Sequence, residues 1–396
     1  MGSIRKDNWA AGANNIAQEN RLPEGSAARI VNFDPAVGGT LELCAGFTKQ
    51  VECERARAVF SLRDDLVFVD GGELKVMNRD GIRVVASIAE SGPVVGAELN
   101  GKLYLSTATE NLVFDGSTVK PWGIQTPAFE MAIIAGSLPA GVYRVAVTAL
   151  GDDESGADVM IVTLPGSSGL MVRSSAAGDL RLYASVANGE TLYSQGALNG
   201  ERQIVTTIAD DTEVLGTAFL TPMPQVDVLV ACGSVLMGAK GRYLFRTEPF
   251  MPHLCDPVRG FFQYADDVTL LAPAEPGGVF VCADKTFFLQ NPESESLTQQ
   301  RGVLEFGGSR GTLAILPNGS PAWFTPYGQA IGGADGSVSL PNKKMFAPDI
   351  SEHGAAGLLD HNGNQLVVTS FRGPAESNQL AAADFWGVEI VDERTD

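Results

Sequence analysis

Leu66-Val67-Phe68-Val69-Asp70-Gly71-Gly72-Glu73-Leu74-Lys75-Val76-Met77 is the stretch on which the fold reading turns. Two apolar-rich runs flank a Gly-Gly pair, which reads as a strand, a tight turn and a returning strand. Asn78-Arg79-Asp80-Gly81 supplies the next turn. The same grammar recurs at Leu99-Asn100-Gly101-Lys102-Leu103 and at Leu112-Val113-Phe114-Asp115-Gly116-Ser117-Thr118-Val119. Asn-Gly and Asp-Gly pairs tolerate the left-handed backbone that a short hairpin requires.

The pattern returns after residue 213. Val226 to Leu236 and Gly241-Arg242-Tyr243-Leu244-Phe245 read as paired strands. Val268–Pro273 precedes a further hairpin over Gly277–Leu289. Later turns stand at Asn318-Gly319-Ser320, Asp335-Gly336-Ser337 and His361-Asn362-Gly363. Short strands separated by turns over most of the chain predict an all-β, radially repeated, propeller-like body. Residues 37–126 and 212–396 form that body, and at about 40–45 residues per blade they make roughly six or seven blades. Gly39–Cys44 is the candidate to close the ring by pairing with late strands such as Phe385–Val391, because an open strand edge templates aggregation.

Between the two stretches the rhythm changes. Pro139-Ala140-Gly141-Val142-Tyr143-Arg144-Val145-Ala146-Val147-Thr148 alternates cleanly, and an acidic loop, Asp152-Asp153-Glu154, follows. Gly178-Asp179-Leu180-Arg181-Leu182-Tyr183 then leads through Asn188-Gly189 to Tyr193. This segment, residues 127–211, resembles a fibronectin type III β-sandwich, with a "G-x-Y-x-V-x-V-T" strand before an "R-x-Y" strand. The resemblance implies an inserted spacer or binding module.

Charge and composition exclude several functions. The 396 residues carry a net charge of −19, which repels polyanions at long range, so sequence-specific nucleic-acid binding is not expected. Lys343-Lys344 is the nearest approach to a basic patch. No apolar run reaches the roughly 18–20 residues needed to span a bilayer, so no membrane insertion is expected. The start, Met1 to Lys6, has no apolar region behind it, and no secretory signal is expected. Five cysteines (Cys44, Cys53, Cys232, Cys255 and Cys282) show no CxxC spacing, and three histidines (His253, His353 and His361) are scattered. Single buried thiols are expected, with no metal centre.

Catalytic signatures fail on their own terms. The paired carboxylates Asp64-Asp65, Asp152-Asp153, Asp210-Asp211 and Asp266-Asp267 read as solvated turns. Gly307-Gly308-Ser309-Arg310-Gly311-Thr312 lacks the Gly-Lys-Ser/Thr of a phosphate loop. Asp360 to Asn364 has a calcium-loop composition, but the twelfth position is Phe371 rather than Glu. The expectation is a non-enzyme with no catalytic residue, metal or cofactor. Of the neighbouring aromatics Phe261-Phe262 and Phe287-Phe288, at least half should be core, since adjacent strand residues face opposite ways.

Residues 1–36 are polar and small, an extended arm. Trp9 and Ile16 are its candidate anchors on a partner surface, with Asn14 and Asn15 hydrogen-bonding to a neighbour's backbone. The arm also carries a family resemblance. Gly12-Ala13-Asn14-Asn15-Ile16-Ala17, then Arg21-Leu22-Pro23-Glu24-Gly25 through Asn32-Phe33-Asp34, then Gly38-Gly39-Thr40-Leu41-Glu42-Leu43-Cys44-Ala45-Gly46-Phe47, is similar to the opening of tailed-bacteriophage and prophage structural proteins. Cys44 stands where a basic residue is common in that group. Ser234–Phe250 and Asp256–Tyr264 resemble later segments of the same group.

The resemblance implies a virion tail component, a propeller-like nozzle, plug or minor tail protein. It would be made in the host cytoplasm and contact other tail proteins in a symmetric homo-oligomeric ring, with contact to the host surface a further possibility. Two other readings remain open: a propeller hydrolase with a central metal, and a glycan-binding receptor module. The first demands inward acidic and histidine side chains converging from several blades. The second demands exposed aromatics in a shallow groove.

Overall fold

The computed structural model describes residues 8–30, 33–35, 38–43, 49, 51–198, 200, 202–294, 300–346, 353–361 and 364–371. The chain is all-β, and among the described residues its one helical element is the single 3-10 turn Glu19–Arg21. It divides into two compact units, one of residues 53–268 with 292–296, the other of residues 1–52, 269–291 and 297–396.

In the first unit, Ala56–Leu62, Asp65–Asp70, Glu73–Asn78 and Gly81–Ser87 form a four-stranded antiparallel meander, the blade motif of a propeller. Val94–Leu99, Lys102–Thr107, Asn111–Phe114 and Val119–Pro121 form a second. Strand alternation turns Val67, Val69, Leu74 and Val76 of the first blade towards Leu103, Leu105, Leu112 and Phe114 of the second, and these share one buried core. The Arg57 guanidinium binds the carbonyl oxygens of Gly71, Ala89 and Gly92, tying the turn of the first blade to the link between the two.

The turns explain the repetition. Asn100 (φ 53°) and Gly101 (φ 72°) are both left-handed, the geometry that matches the twist of a two-residue hairpin. Asp115, Asn318 and Asp335 each open an Asx-Gly-Ser turn by accepting the backbone N–H two residues on. The Asp115 carboxylate also takes the N–H of Thr118, and these bonds hold its carboxyl well below the usual range.

A third sheet is irregular. Val228–Cys232, Val235–Lys240 and Tyr243–Glu248 run as a meander, with Phe261–Gln263 on its outer side and Thr221–Pro222 joined through Met251–Cys255. Val226 to Leu236 is not a single strand: the chain reverses at Gly233, which adopts φ 60°, and Val228–Cys232 pairs back on Val235–Lys240.

The inserted sandwich packs a three-stranded sheet on a four-stranded one. Ser168–Arg173 lies between Glu130–Leu138 and Arg202–Val205 in the first, and the second runs Val159–Leu164, Gly141–Leu150, Asp179–Ala184, Tyr193–Ala197. Tyr143, Val145 and Val147 point inward against Leu170, Val172, Leu180 and Leu182. The Tyr143 hydroxyl donates to the Pro139 carbonyl at 3.0 Å, so burying this ring strands no polar atom. The opposite face of the larger sheet is covered too, with Ala146 and Tyr183 beneath Ala157, Leu192 and Leu215.

In the second unit, Leu270–Ala274, Gly278–Cys282, Thr286–Gln290 and Gln300–Leu304 make one blade-like meander, and Ala314–Ile315, Pro321–Thr325, Gly328–Gly332 and Val338–Ser339 another. A hairpin of Gly354–His361 and Asn364–Phe371 follows. The core between the two meanders is aromatic: the Phe280 ring centroid lies 4.9 Å from Phe288 and 5.1 Å from Trp323. The glycine-rich run at 307–312 is shaped by this packing. A Cβ at Gly307 would meet the Ala283 carbonyl oxygen at 1.9 Å, and one at Gly308 would meet the Trp323 ring at 2.7 Å.

Leu41–Leu43 pairs with Phe33–Pro35. Its expected late partner, Phe385–Val391, and Cys44 lie outside the described residues. Cys232, Cys255 and Cys282 are buried, and Cys53 is half-buried.

Candidate functional site

The acidic run Asp152-Asp153-Glu154 follows the central sandwich strand Gly141–Leu150 and is a bonded corner, although Asp152 and Asp153 are largely exposed. Its backbone is held by Ser155, fully buried, whose hydroxyl accepts from the Ala149 N–H while its own N–H donates to the Ala149 carbonyl. Each of the three acidic side chains then takes a different partner.

Asp152 pairs with Lys120 at 2.5 Å, from the last strand of the second blade. The pairing lowers the Asp152 carboxyl and raises the Lys120 ammonium from their ordinary values. Glu154 turns inward, and its Oε1 accepts from the Thr148 hydroxyl at 2.7 Å and the Tyr183 hydroxyl at 2.8 Å. Burial, offset in part by the Arg181 side chain, leaves the Tyr183 phenol pushed up to about 12. Arg181 reaches both Tyr183 and Glu213.

Asp153 faces His253, with Oδ2 4.0 Å from Nδ1. His253 owes its position to an irregularity in its strand. Thr247 pairs with Cys255 and Glu248 with Met251, so residues 252–254 leave the regular ladder. Trp122 holds this displaced segment, its indole N–H donating to the Pro252 carbonyl at 2.8 Å. Gly123, at φ 93°, admits the close approach: a Cβ there would meet the His253 carbonyl oxygen at 3.2 Å.

The imidazole is 6% exposed. Its Nε2 lies 2.9 Å from the Glu154 carbonyl oxygen. A carbonyl only accepts, so Nε2 carries the proton. In the neutral ring Nδ1 is then a bare acceptor, buried and without a hydrogen-bond partner among the described residues. Leaving a buried polar atom unpaired costs about 1–3 kcal/mol.

His253, Asp152, Asp153, Lys102, Lys120, Tyr104 and Trp122 line a cleft of about 460 Å³, with Val113, Ile124 and Pro121 as its apolar wall. Tyr104 and Trp122 pack edge to face, 5.3 Å between centroids. Burial, with the nearby Asp153 carboxylate, raises the Tyr104 phenol. Two lysines oppose two aspartates around the imidazole, so these four charges balance and give no field to attract a polyion. Among the described residues no group of three or more His, Cys, Asp or Glu is placed to hold a metal ion. The sequence pointed to the acidic run but not to His253, which stands 99 residues from Glu154 with no local pattern to mark it.

The arm anchors named from sequence are not gathered here. Gly12–Ala13 pairs in parallel with Ser26–Ala27, the Trp9 N–H donates to the Gly39 carbonyl, and the Asn15 N–H donates to the Met345 carbonyl. Asn14 is 3% exposed, and its side-chain oxygen accepts from the N–H groups of Ile16 and Ala17. A short carboxamide readily satisfies its own following turn in this way. Trp9 is half-buried, whereas Asn15 and Ile16 remain exposed, Ile16 at 48%. No helix among the described residues is long and apolar enough to cross a membrane.

No family model matches the chain, and no curated protein matches it. Solved structures similar to it include apo AztD from Citrobacter koseri (12% identity, TM-score 0.30, covering 87% of this chain and 97% of that one). Hsv2 from Kluyveromyces lactis is similar at 9% identity and TM-score 0.30, over 78% of this chain and 87% of that one. The N-terminal domain of Nup159 is similar at 11% identity and TM-score 0.33, over 82% and 76%. At these scores the likeness says nothing of function, and the all-β, propeller-like assignment with an inserted sandwich stands on the strand pairing itself.

Proposed function

We propose that this chain is a structural component of a bacteriophage tail, a wall, nozzle or plug element that contacts neighbouring tail proteins. The observation that carries the reading is the opening segment, whose Gly12–Ala17, Arg21–Asp34 and Gly38–Phe47 stretches resemble the start of such proteins. The form of that segment is consistent with assembly: Asn14 is committed to its own turn and presents Ile16 at the surface. A net charge of −19 repels DNA at long range, which suits a surface that DNA passes without adhering.

Electron microscopy of tailed particles from cells carrying the gene, with gold-labelled antibody against this chain, is expected to place label on the tail. Label confined to free monomer in the lysate refutes the role. The arm gives a finer test. Ile16→Asp is expected to leave the melting temperature unchanged and to reduce incorporation into particles, because the side chain is half exposed before assembly. Asn14→Ala is expected to destabilise the isolated protein by about 1 kcal/mol, the usual scale of a lost side-chain-to-backbone cap. Equal incorporation of the Ile16→Asp chain removes the arm from the assembly contact.

A further inference from the structure

We infer that the cleft around His253 is a binding site for a neutral sugar, a monosaccharide or the terminal residue of a glycan. The inference does not depend on the tail assignment. It starts from an unsatisfied atom: His253 Nδ1 is buried and lacks a hydrogen-bond partner among the described residues, and with the proton on Nε2 bonded to Glu154 it is the acceptor of the neutral ring. The group that completes it must donate a hydrogen bond. Asp153 covers this position at 4.0 Å but is 60% exposed, so its carboxylate is free to rotate and accept from the same ligand.

The remaining surfaces narrow the class. Two carboxylates accept, two ammonium groups donate, and Lys120 is already paired with Asp152, so the walls carry alternating polarity and no net charge. A phosphate or sulfate would meet both aspartates, and an organic cation would meet both lysines. A polyol meets neither penalty, because each hydroxyl both donates and accepts. Val113, Ile124 and Pro121 supply an apolar wall for the C–H face of a pyranose. The volume of about 460 Å³ is in the range of small-molecule pockets, roughly 300–1,000 Å³. The aromatic pair is 3% and 6% exposed, so Trp122 and Tyr104 act as floor rather than as a stacking platform. That distinguishes the cleft from the shallow aromatic groove expected of a receptor module.

Saturation-transfer difference NMR on the full chain tests this, using the methyl glycosides of glucose, galactose, rhamnose and N-acetylglucosamine at millimolar concentration. At least one is expected to receive saturation. Asp153→Ala and Lys102→Ala replace exposed side chains, so circular dichroism should confirm that both variants fold. Each is expected to weaken binding of that sugar at least tenfold, and His253→Gln, if folded, to do the same. No transfer to any of the four sugars on the wild-type chain overturns the inference. So does binding that survives both exposed-residue variants, since the sugar would then sit elsewhere. Loss of sugar binding with normal particle incorporation separates this site from the assembly role.

Discussion

Trp323→Ala is expected to destabilise the unit that holds it by about 3–5 kcal/mol, the usual cost of truncating a large buried aromatic. The indole is fully buried, lies against Phe280, and sits over Gly308 at a separation where even a Cβ would clash. No neighbour can collapse into the space without moving the glycine-rich run at 307–312. Trp323→Phe should behave differently. The Trp323 Nε1 is buried without a hydrogen-bond partner among the described residues, so removing it relieves an unsatisfied donor while opening a smaller cavity. The two effects oppose each other, and the phenylalanine variant should lose less than half of what the alanine variant loses. Chemical denaturation of both variants measures this. Equal losses would mean that the indole N–H contributes a stabilising bond and that the core is read wrongly.

Glu154→Ala is expected to cost about 2–4 kcal/mol, because it removes the acceptor of two hydroxyl groups at once. Thr148 is fully buried and Tyr183 has no measurable exposure, so neither side chain has ready access to water in place of Glu154 Oε1. Glu154→Gln keeps a carbonyl oxygen at the same reach and should lose no more than about 1 kcal/mol, the typical net worth of a neutral hydrogen bond. The backbone carbonyl of residue 154 also holds His253 in its tautomer. The alanine variant keeps that carbonyl but loses the side-chain bonds that position it, so it should loosen the cleft as well as the sandwich. Nuclear magnetic resonance of the imidazole would register a change in the alanine variant and none in the glutamine variant. An unchanged imidazole in both shows that the corner is held by Ser155 alone.

The arm and the acidic corner show how far local chemistry can be carried. Asn14 was legible as a hydrogen-bonding residue, but the turn that its side-chain oxygen closes was not. Asn side chains bond equally well to their own following turn and to a neighbour, and only the fold of the segment decides between them. The carboxylates at 152–154 were legible as an acidic turn, and two of them are largely exposed. Their division among Lys120, His253 and the Thr148–Tyr183 pair required four separate strands to converge on one corner.

The sequence by itself determined the all-β class, the hairpins at Asn100-Gly101, Asp115-Gly116 and Asp335-Gly336, and the strands of the sandwich. These follow from interactions within a few residues: alternation selects the buried face, and left-handed turn residues select where the chain reverses. Apolar patterning by itself did not separate Val228–Cys232 from Val235–Lys240, although Gly233-Ser234 is a two-residue turn signal, because the runs on both sides of it are apolar and buried. Nor could it place His253. That residue reaches the cleft because three residues leave the ladder between Thr247 and Cys255, and because Trp122, 130 positions from Pro252 in sequence, holds them there. Contacts across such separations depend on how whole sheets pack, and no periodicity along the chain records them.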